Sequence, residues 1–215
     1  ANYGEAIQLY ESQLKKNPGY ADLHYNLGNA YFKAGRIGGA VLHYEKAALL
    51  APYDQTIQHN LQVARNRVTD NVAPLTPFFL SRWWNGSGAL LSPDAWSALG
   101  LCLLWASAAG WILFLWAAAP RRRRIGMWIG IVALLLAILP FALAASRAAK
   151  LKHSGYAVVM REGAQLHSAP EAQQTLEPLH EGYKVELLDA IGDWRKVQLP
   201  NGDEGWAEAG VLAEI

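Results

Sequence analysis

The chain has 215 residues, of which 52% are hydrophobic, and a formal net charge of only +1. That near-neutrality is a cancellation of blocks: residues 1–73 carry 7 Lys and Arg against 6 Asp and Glu, residues 74–153 carry 8 against 1, and residues 154–215 carry 4 against 11. A basic, apolar middle whose cations cluster at the ends of uncharged runs points to a membrane, and it excludes nucleic acid because no basic stripe is left for phosphates to follow.

The N-terminal block repeats itself. Gly4, Ala6, Tyr10, Glu11 and Pro18 recur 34 residues later as Gly38, Ala40, Tyr44, Glu45 and Pro52. A 34-residue period is that of the tetratricopeptide helix-turn-helix. Residues 21–54 resemble one complete repeat, with Leu27, Gly28, Tyr31, Ala40, Tyr44, Ala47 and Pro52 in the signature places and His24 where the pattern often has Trp. Gly28 and Ala40 let two antiparallel helices approach, Tyr31 and Tyr44 fill the space between them, and Gly35 and Pro52 end each helix. Residues 3–18 match the second half of a preceding repeat. Beyond the complete repeat Leu61 keeps the period of Leu27, but Gln62 and Arg65 replace the expected Gly and Tyr, so the stretch up to residue 73 reads as a capping helix. Repeats of this kind do not bury their faces alone, and a helix upstream of Ala1 is expected.

At 3.6-residue spacing the first helix of the complete repeat has two faces. His24, Leu27, Gly28 and Tyr31 point into the helix pair, leaving Asp22, Tyr25, Asn29, Phe32 and Lys33 on the other side. The tetratricopeptide resemblance implies that this second face lines the concave, ligand-facing surface. Domains of the family that hold a C-terminal carboxylate carry Lys where Tyr25 stands, so general peptide or protein binding is the expectation. An ordinary solvated helix face is the alternative.

Residues 74–93 contain Phe78, Phe79, Trp83 and Trp84 around a single Arg82 and read as an interfacial linker. Two transmembrane helices follow, at 94–119 and 125–146. Residues 95–119 and 125–146 hold no charged residue, and about 20 helical residues suffice to cross a ~30 Å hydrocarbon core. Ser92 and Pro93 suit the cap and first turn of the first span, Trp96 and Trp116 mark its ends, and Pro140 is expected to bend the second. Cys102, the only cysteine, lies inside the first span, which excludes an intramolecular disulfide. Between the spans Pro120 and Arg121–Arg124 read as a short cytoplasmic loop, because Lys/Arg-rich loops stay on that side. Both chain ends then face the periplasm. Arg147, Lys150 and Lys152, in the linker 147–153, oppose that orientation.

From residue 154 onward the pattern changes to short β-type runs at 156–161, 183–189 and 193–199, with Asn201-Gly202 as a hairpin turn. His167-Ser168-Ala169-Pro170, Glu181-Gly182, Val185, Gly192-Asp193-Trp194, Lys196-Val197 and Gly205-Trp206 resemble bacterial SH3-like domains across residues 154–215. That resemblance implies an all-β barrel with Trp194 and Trp206 in its core. Bacterial relatives sometimes bind cell-wall peptides.

The six histidines lack metal-ligand spacing, and neither a Gly-rich phosphate loop nor a nucleophile elbow is present. No catalytic residue, metal, cofactor or small-molecule substrate is expected. The order of tetratricopeptide repeat, membrane hairpin and SH3-like domain resembles the BatE family of bacterial aerotolerance operons. The resemblance implies a two-pass protein of the bacterial inner membrane, with both soluble domains in the periplasm. Its implied role is an envelope scaffold that works with von Willebrand A-domain membrane proteins and a MoxR-type AAA ATPase. A cell-wall (peptidoglycan) binding module and a membrane-bound sensor are the alternatives.

Overall fold

Four helices follow the repeat: α1 (Tyr3–Leu14), α2 (Ala21–Lys33), α3 (Ile37–Leu50) and α4 (Gln55–Arg65). Local chemistry sets their ends. Asp54 caps α4 by accepting from the backbone N–H groups of Thr56 and Ile57, and Gly35, at φ +76°, turns the chain from α2 into α3. The computed structural model describes residues 2–68, 79–172 and 174–215. The chain divides into two compact units, Ala1–Thr76 with His153–Ile215, and Pro77–Lys152. The expected linker between residues 74 and 78 lies outside the described residues.

The repeat pattern acts through glycine against aromatic rings. A Cβ on Gly28 would stand 2.7 Å from the Tyr44 ring, and one on Gly39 would stand 2.7 Å from the Tyr31 ring. Leu27, Ala40 and Ala47 are fully buried beside them. His24 and His43 join the same contact, with Nδ1 atoms 3.0 Å apart and His43 stacked on Tyr31. His24 Nε2 lies 3.1 Å from the Pro18 carbonyl, so the neutral arrangement has His24 donating to Pro18 and accepting from His43. Burial lowers the pKa of both rings, that of His43 to about 3.

The C-terminal block forms β1 (Tyr156–Val159), β2 (Ala164–His167), β3 (Thr175–Leu179), β4 (Lys184–Ile191), β5 (Trp194–Gln198), β6 (Glu204–Glu208) and β7 (Leu212–Glu214). They pair as an antiparallel sheet in the order β3-β2-β6-β5-β4-β1-β7, which leaves β3 and β7 as its edges. The expected barrel is therefore an open sheet in its pairing. Its strands nevertheless share one core of Ala157, Val159, Leu166, Leu179, Val185, Val197 and Ala207. Pro178, which donates no ladder bond, sits in an edge strand.

The two tryptophans expected in that core are not there. Trp194 and Trp206 are half-buried and belong to neither buried cluster. Strand parity is the reason: Val197 on β5 and Gly205 and Ala207 on β6 face inward, so Trp194 and Trp206 fall on the opposite face. Gly205 is needed because a Cβ there would meet Leu166 at 2.5 Å.

The helices and the sheet share a core. Val158 is buried within the helical cluster, and Met160, Ala213 and Ile215 pack against it. The Gly38 N–H, at the start of α3, donates to Glu181 Oε1 at 2.7 Å, and a Cβ on Gly38 would collide with Glu181.

The second unit holds α5 (Phe79–Ala89), α6 (Pro93–Trp116) and α7 (Pro120–Lys152). The described part of the expected linker is thus a helix, set against α7 through Gly88 beside Leu143 and by Lys150 donating to Asn85 Oδ1 at 2.5 Å. Ser92 caps α6 and Pro93 stands in its first turn, as expected. The anticipated arginine loop is instead the first turn of α7, which also absorbs residues 147–152 and continues through Pro140. Proline suits a first helical position and arginine is a good helix former, so residues 117–119 are enough to reverse the chain. Both α6 and α7 are long and apolar enough to cross a membrane. Small residues make their closest approach: a Cβ on Gly110 would lie 2.6 Å from the Gly130 nitrogen and 2.8 Å from the Gly126 carbonyl, while Gly100 faces the Phe141 ring. Trp105, Ile112, Leu115, Leu135 and Ile138 point outward.

Candidate functional site

The face predicted for binding is where α2, α3 and α4 meet. Tyr44 on α3 donates its hydroxyl to Asn29 Oδ1 at 2.6 Å. Asn60 on α4 uses both amide hydrogens inward, donating to Asn29 Oδ1 at 3.1 Å and to the Tyr25 hydroxyl at 2.9 Å. The Tyr25 ring lies 6.0 Å from that of Tyr44. Burial, and then Tyr25, push the Tyr44 phenol up to about 12, so it stays a donor at any physiological pH.

Of the five predicted residues, the structure brings Tyr25 and Asn29 together in this network. Phe32 lies two helical turns beyond Tyr25 and packs half-buried against the helical core, whereas Asp22 and Lys33 are exposed at the rim. Sequence reading missed Asn60 because α4 was taken only as a cap. The available signal was the period itself, since Asn60 falls 34 residues after Asn26 on the corresponding helix.

What remains open chemically is amide-like. Asn29 keeps its Nδ2 donors, Asn60 its Oδ1 acceptor and Tyr25 its hydroxyl proton, none with a protein partner among the described residues. Donors and acceptors therefore alternate beside an aromatic ring. Among the described residues no group of three or more His, Cys, Asp or Glu is placed to hold a metal ion.

A second aromatic cluster lies on the outer face of the sheet. His167 stands opposite Trp206 across β2 and β6, and its ring meets that of Trp194 edge-on at 5.1 Å. His167 Nδ1 lies 2.8 Å from the Ala172 carbonyl, in a loop where Glu171 takes the left-handed φ of +60°. Lys196 and Glu204 pair at 2.6 Å on the same face.

Comparison with known proteins bears on the helical part. The Tetratricopeptide repeat family model matches residues 1–62. Neither a curated protein nor a solved structure matches the chain. The matched stretch contains α1–α3 and most of α4, and so includes Tyr25, Asn29, Tyr44 and Asn60. Repeats of this type are protein-interaction modules.

Proposed function

We propose that the chain is a non-enzymatic, membrane-anchored scaffold whose repeats hold an extended segment of a partner protein on the α2–α4 face. The observation that carries this reading is the unsatisfied alternation of Asn29 Nδ2, Asn60 Oδ1 and the Tyr25 hydroxyl, which matches what a peptide main chain presents. Tyr25 and Phe32 supply the aromatic anchors favoured at interfaces, and Asp22 and Lys33 form a polar rim.

Two long apolar helices, read as membrane-spanning, support the anchoring. Because the helices and the sheet share buried residues, the chain must leave and re-enter the same compartment, which takes an even number of crossings. Arg121–Arg124, at the end of the second span where the two spans join, favour the cytoplasm, and this supports a reading in which both other parts of the chain face the periplasm of a bacterial inner membrane. The partners that fit the BatE resemblance are von Willebrand A-domain membrane proteins and a MoxR-type ATPase, in an aerotolerance or stress-related envelope complex.

The test co-expresses the full chain with such a von Willebrand A-domain protein. Tyr25→Ala with Lys33→Glu spares the Tyr44–Asn29 bond, and co-purification is expected to fall about ten-fold or more while the chain stays folded, with a stability loss of about 1–2 kcal/mol from the Asn60 bond and ring contact of Tyr25. Undiminished co-purification would sink the assignment of this face. Reporter fusions check the topology: one after Lys152 should be active only outside the cytoplasm, and one within Arg121–Arg124 only inside. The reverse pattern overturns the orientation.

One observation favours a second reading, a cell-wall ligand on the sheet. Trp194, Trp206 and His167 present aromatic surface on its outer face. If peptidoglycan retains the full chain and Trp194→Ala abolishes retention while costing no more than about 1 kcal/mol of stability, this reading takes precedence. Equal retention of both proteins removes it.

A further inference from the structure

Glu11 and Glu45 occupy the same place in successive repeats, yet they are satisfied differently. Glu11 accepts from the Tyr31 hydroxyl at 2.5 Å. One period later the partner position is Arg65, which pairs with Glu45 instead. Substituting a cation for a tyrosine puts a charge pair where the first repeat has one neutral donor, and Glu45 is buried, with its side chain 6% exposed. A buried carboxylate needs its remaining oxygen satisfied. The second cation comes from the sheet: Lys184 on β4 reaches Glu45 Oε2 at 2.8 Å across 139 residues of sequence. Burial by itself raises the Glu45 pKa, but Lys184 and then Arg65 hold it below the ordinary carboxylate range.

The same end of α4 meets the sheet a second time. Val68, just beyond the helix, packs against the helical core, and Gly182 sits so close that a Cβ there would lie 2.7 Å from it. α4 is therefore fixed at one end by two contacts that pass through the sheet. It also carries Asn60, which bonds both Tyr25 and Asn29. Its neighbour α3 shows the same arrangement, with Tyr44 turned to the binding face and Glu45 to the sheet.

We propose that the sheet is a structural arm of the binding face: Lys184 and Gly182 hold α4 through Glu45, Arg65 and Val68, and so fix Asn60 against Tyr25 and Asn29. Lys184 is thus a positioning residue for peptide binding although it lies on another fold element. The inference rests on the peptide-binding reading for its functional consequence, but not for its structural part.

The experiment uses the full chain in detergent with Lys184→Met, which keeps length and packing over the Tyr156 ring 4.5 Å from the Lys184 ammonium. Amide hydrogen exchange reads residues 55–65. The binding probe is a peptide selected on the wild-type protein from a random library and shown to lose binding on Tyr25→Ala. Exchange in α4 should quicken at least ten-fold while α2 is unchanged, the peptide should bind about five- to ten-fold more weakly, and Lys184→Arg should restore both. Unchanged α4 exchange overturns the proposal. Quickened exchange with unaltered peptide affinity overturns its functional half. If Lys184→Met unfolds the unit, Val68→Ala is read by the same two measurements with the same expected outcomes. If no library peptide depends on Tyr25, the peptide-binding reading fails, and the exchange of α4 alone still decides whether the sheet holds that helix.

Discussion

The helix pair of the repeat and the helix pair of the second unit both depend on glycine, but their closest approaches use it differently. In α2 and α3, Gly28 and Gly39 make room for the rings of Tyr44 and Tyr31, so the space released by glycine is filled by a large buried side chain. In α6 and α7, Gly100 likewise makes room for the Phe141 ring, but Gly110 stands directly against the backbone of Gly126 and Gly130, and many of the large side chains are exposed. The first arrangement buries apolar area taken from water, which drives helices together at roughly 25 cal/mol per Å². Backbone-to-backbone contact of the second kind is favoured between helices whose surroundings are themselves apolar. Glycine thus admits a ring at one contact and a backbone at the other.

The largest effect should come from Gly110→Leu. The new side chain meets backbone that no rotamer change can move, so the loss should exceed about 3 kcal/mol, beyond the usual range for an overpacked core. Cysteine cross-linking between α6 and α7 in membranes, introduced at matched positions, should disappear. Efficient cross-linking in the variant would break the contrast.

Gly28→Val should cost less, about 2–3 kcal/mol, because its obstacle is the Tyr44 ring rather than a backbone. Chemical denaturation of the soluble unit measures it. Pairing it with Tyr44→Leu should recover part of the loss, which no side-chain change could do for Gly110.

The repeat alone carries titratable rings in its helix contact. The His43 pKa is lowered to about 3 from an ordinary 6.5, so the unfolded chain binds the proton first and stability is lost as pH falls from about 6.5 toward 3. From this residue the soluble unit should lose about 2 kcal/mol between pH 7.5 and pH 5. His43→Gln should flatten the profile, and α6–α7 cross-linking should stay constant over that range. A flat wild-type profile would mean the ring protonates without cost.

Single hydroxyls give the smallest effects. Tyr44→Phe removes the bond to Asn29 and should cost about 1 kcal/mol. Ser107 donates to the Gly130 carbonyl at 2.8 Å, and Ser107→Ala should cost nearer 0.6 kcal/mol. Denaturation midpoints of the two units would sharpen the comparison, and a larger loss for Ser107 would reverse its expected order.

Much of the frame could be read without coordinates, because it depends on periodicity. A 34-residue repeat with Gly28, Tyr31, Ala40 and Tyr44 in place leaves little freedom for α2 and α3, and two long uncharged runs dictate α6 and α7 by length alone. Local alternation likewise located β4 and β5 and their turns. The side of α2 that carries Tyr25 and Asn29 was expected to be left over by helix pairing, whereas Tyr44 of α3 bonds Asn29 and Asn60 of α4 bonds both residues.

What the tertiary structure decided depends on parity and on distance along the chain. A strand's composition does not say which of its two faces is inward, so Trp194 and Trp206, expected in the core from the SH3-like resemblance, lie outside because Val197, Gly205 and Ala207 take the inner positions. The arginine turn joined α7 because a helix start needs no loop longer than residues 117–119. Asn60 joined Tyr25 and Asn29, and Arg65 acquired its ion pair, only when α4 folded beside α2 and met a sheet encoded more than 100 residues later. Sequence periodicity records contacts within a repeat, since these recur. The pairing of Glu45 with Lys184 occurs once, between elements with no common period, and burial of the carboxylate is what makes it obligatory.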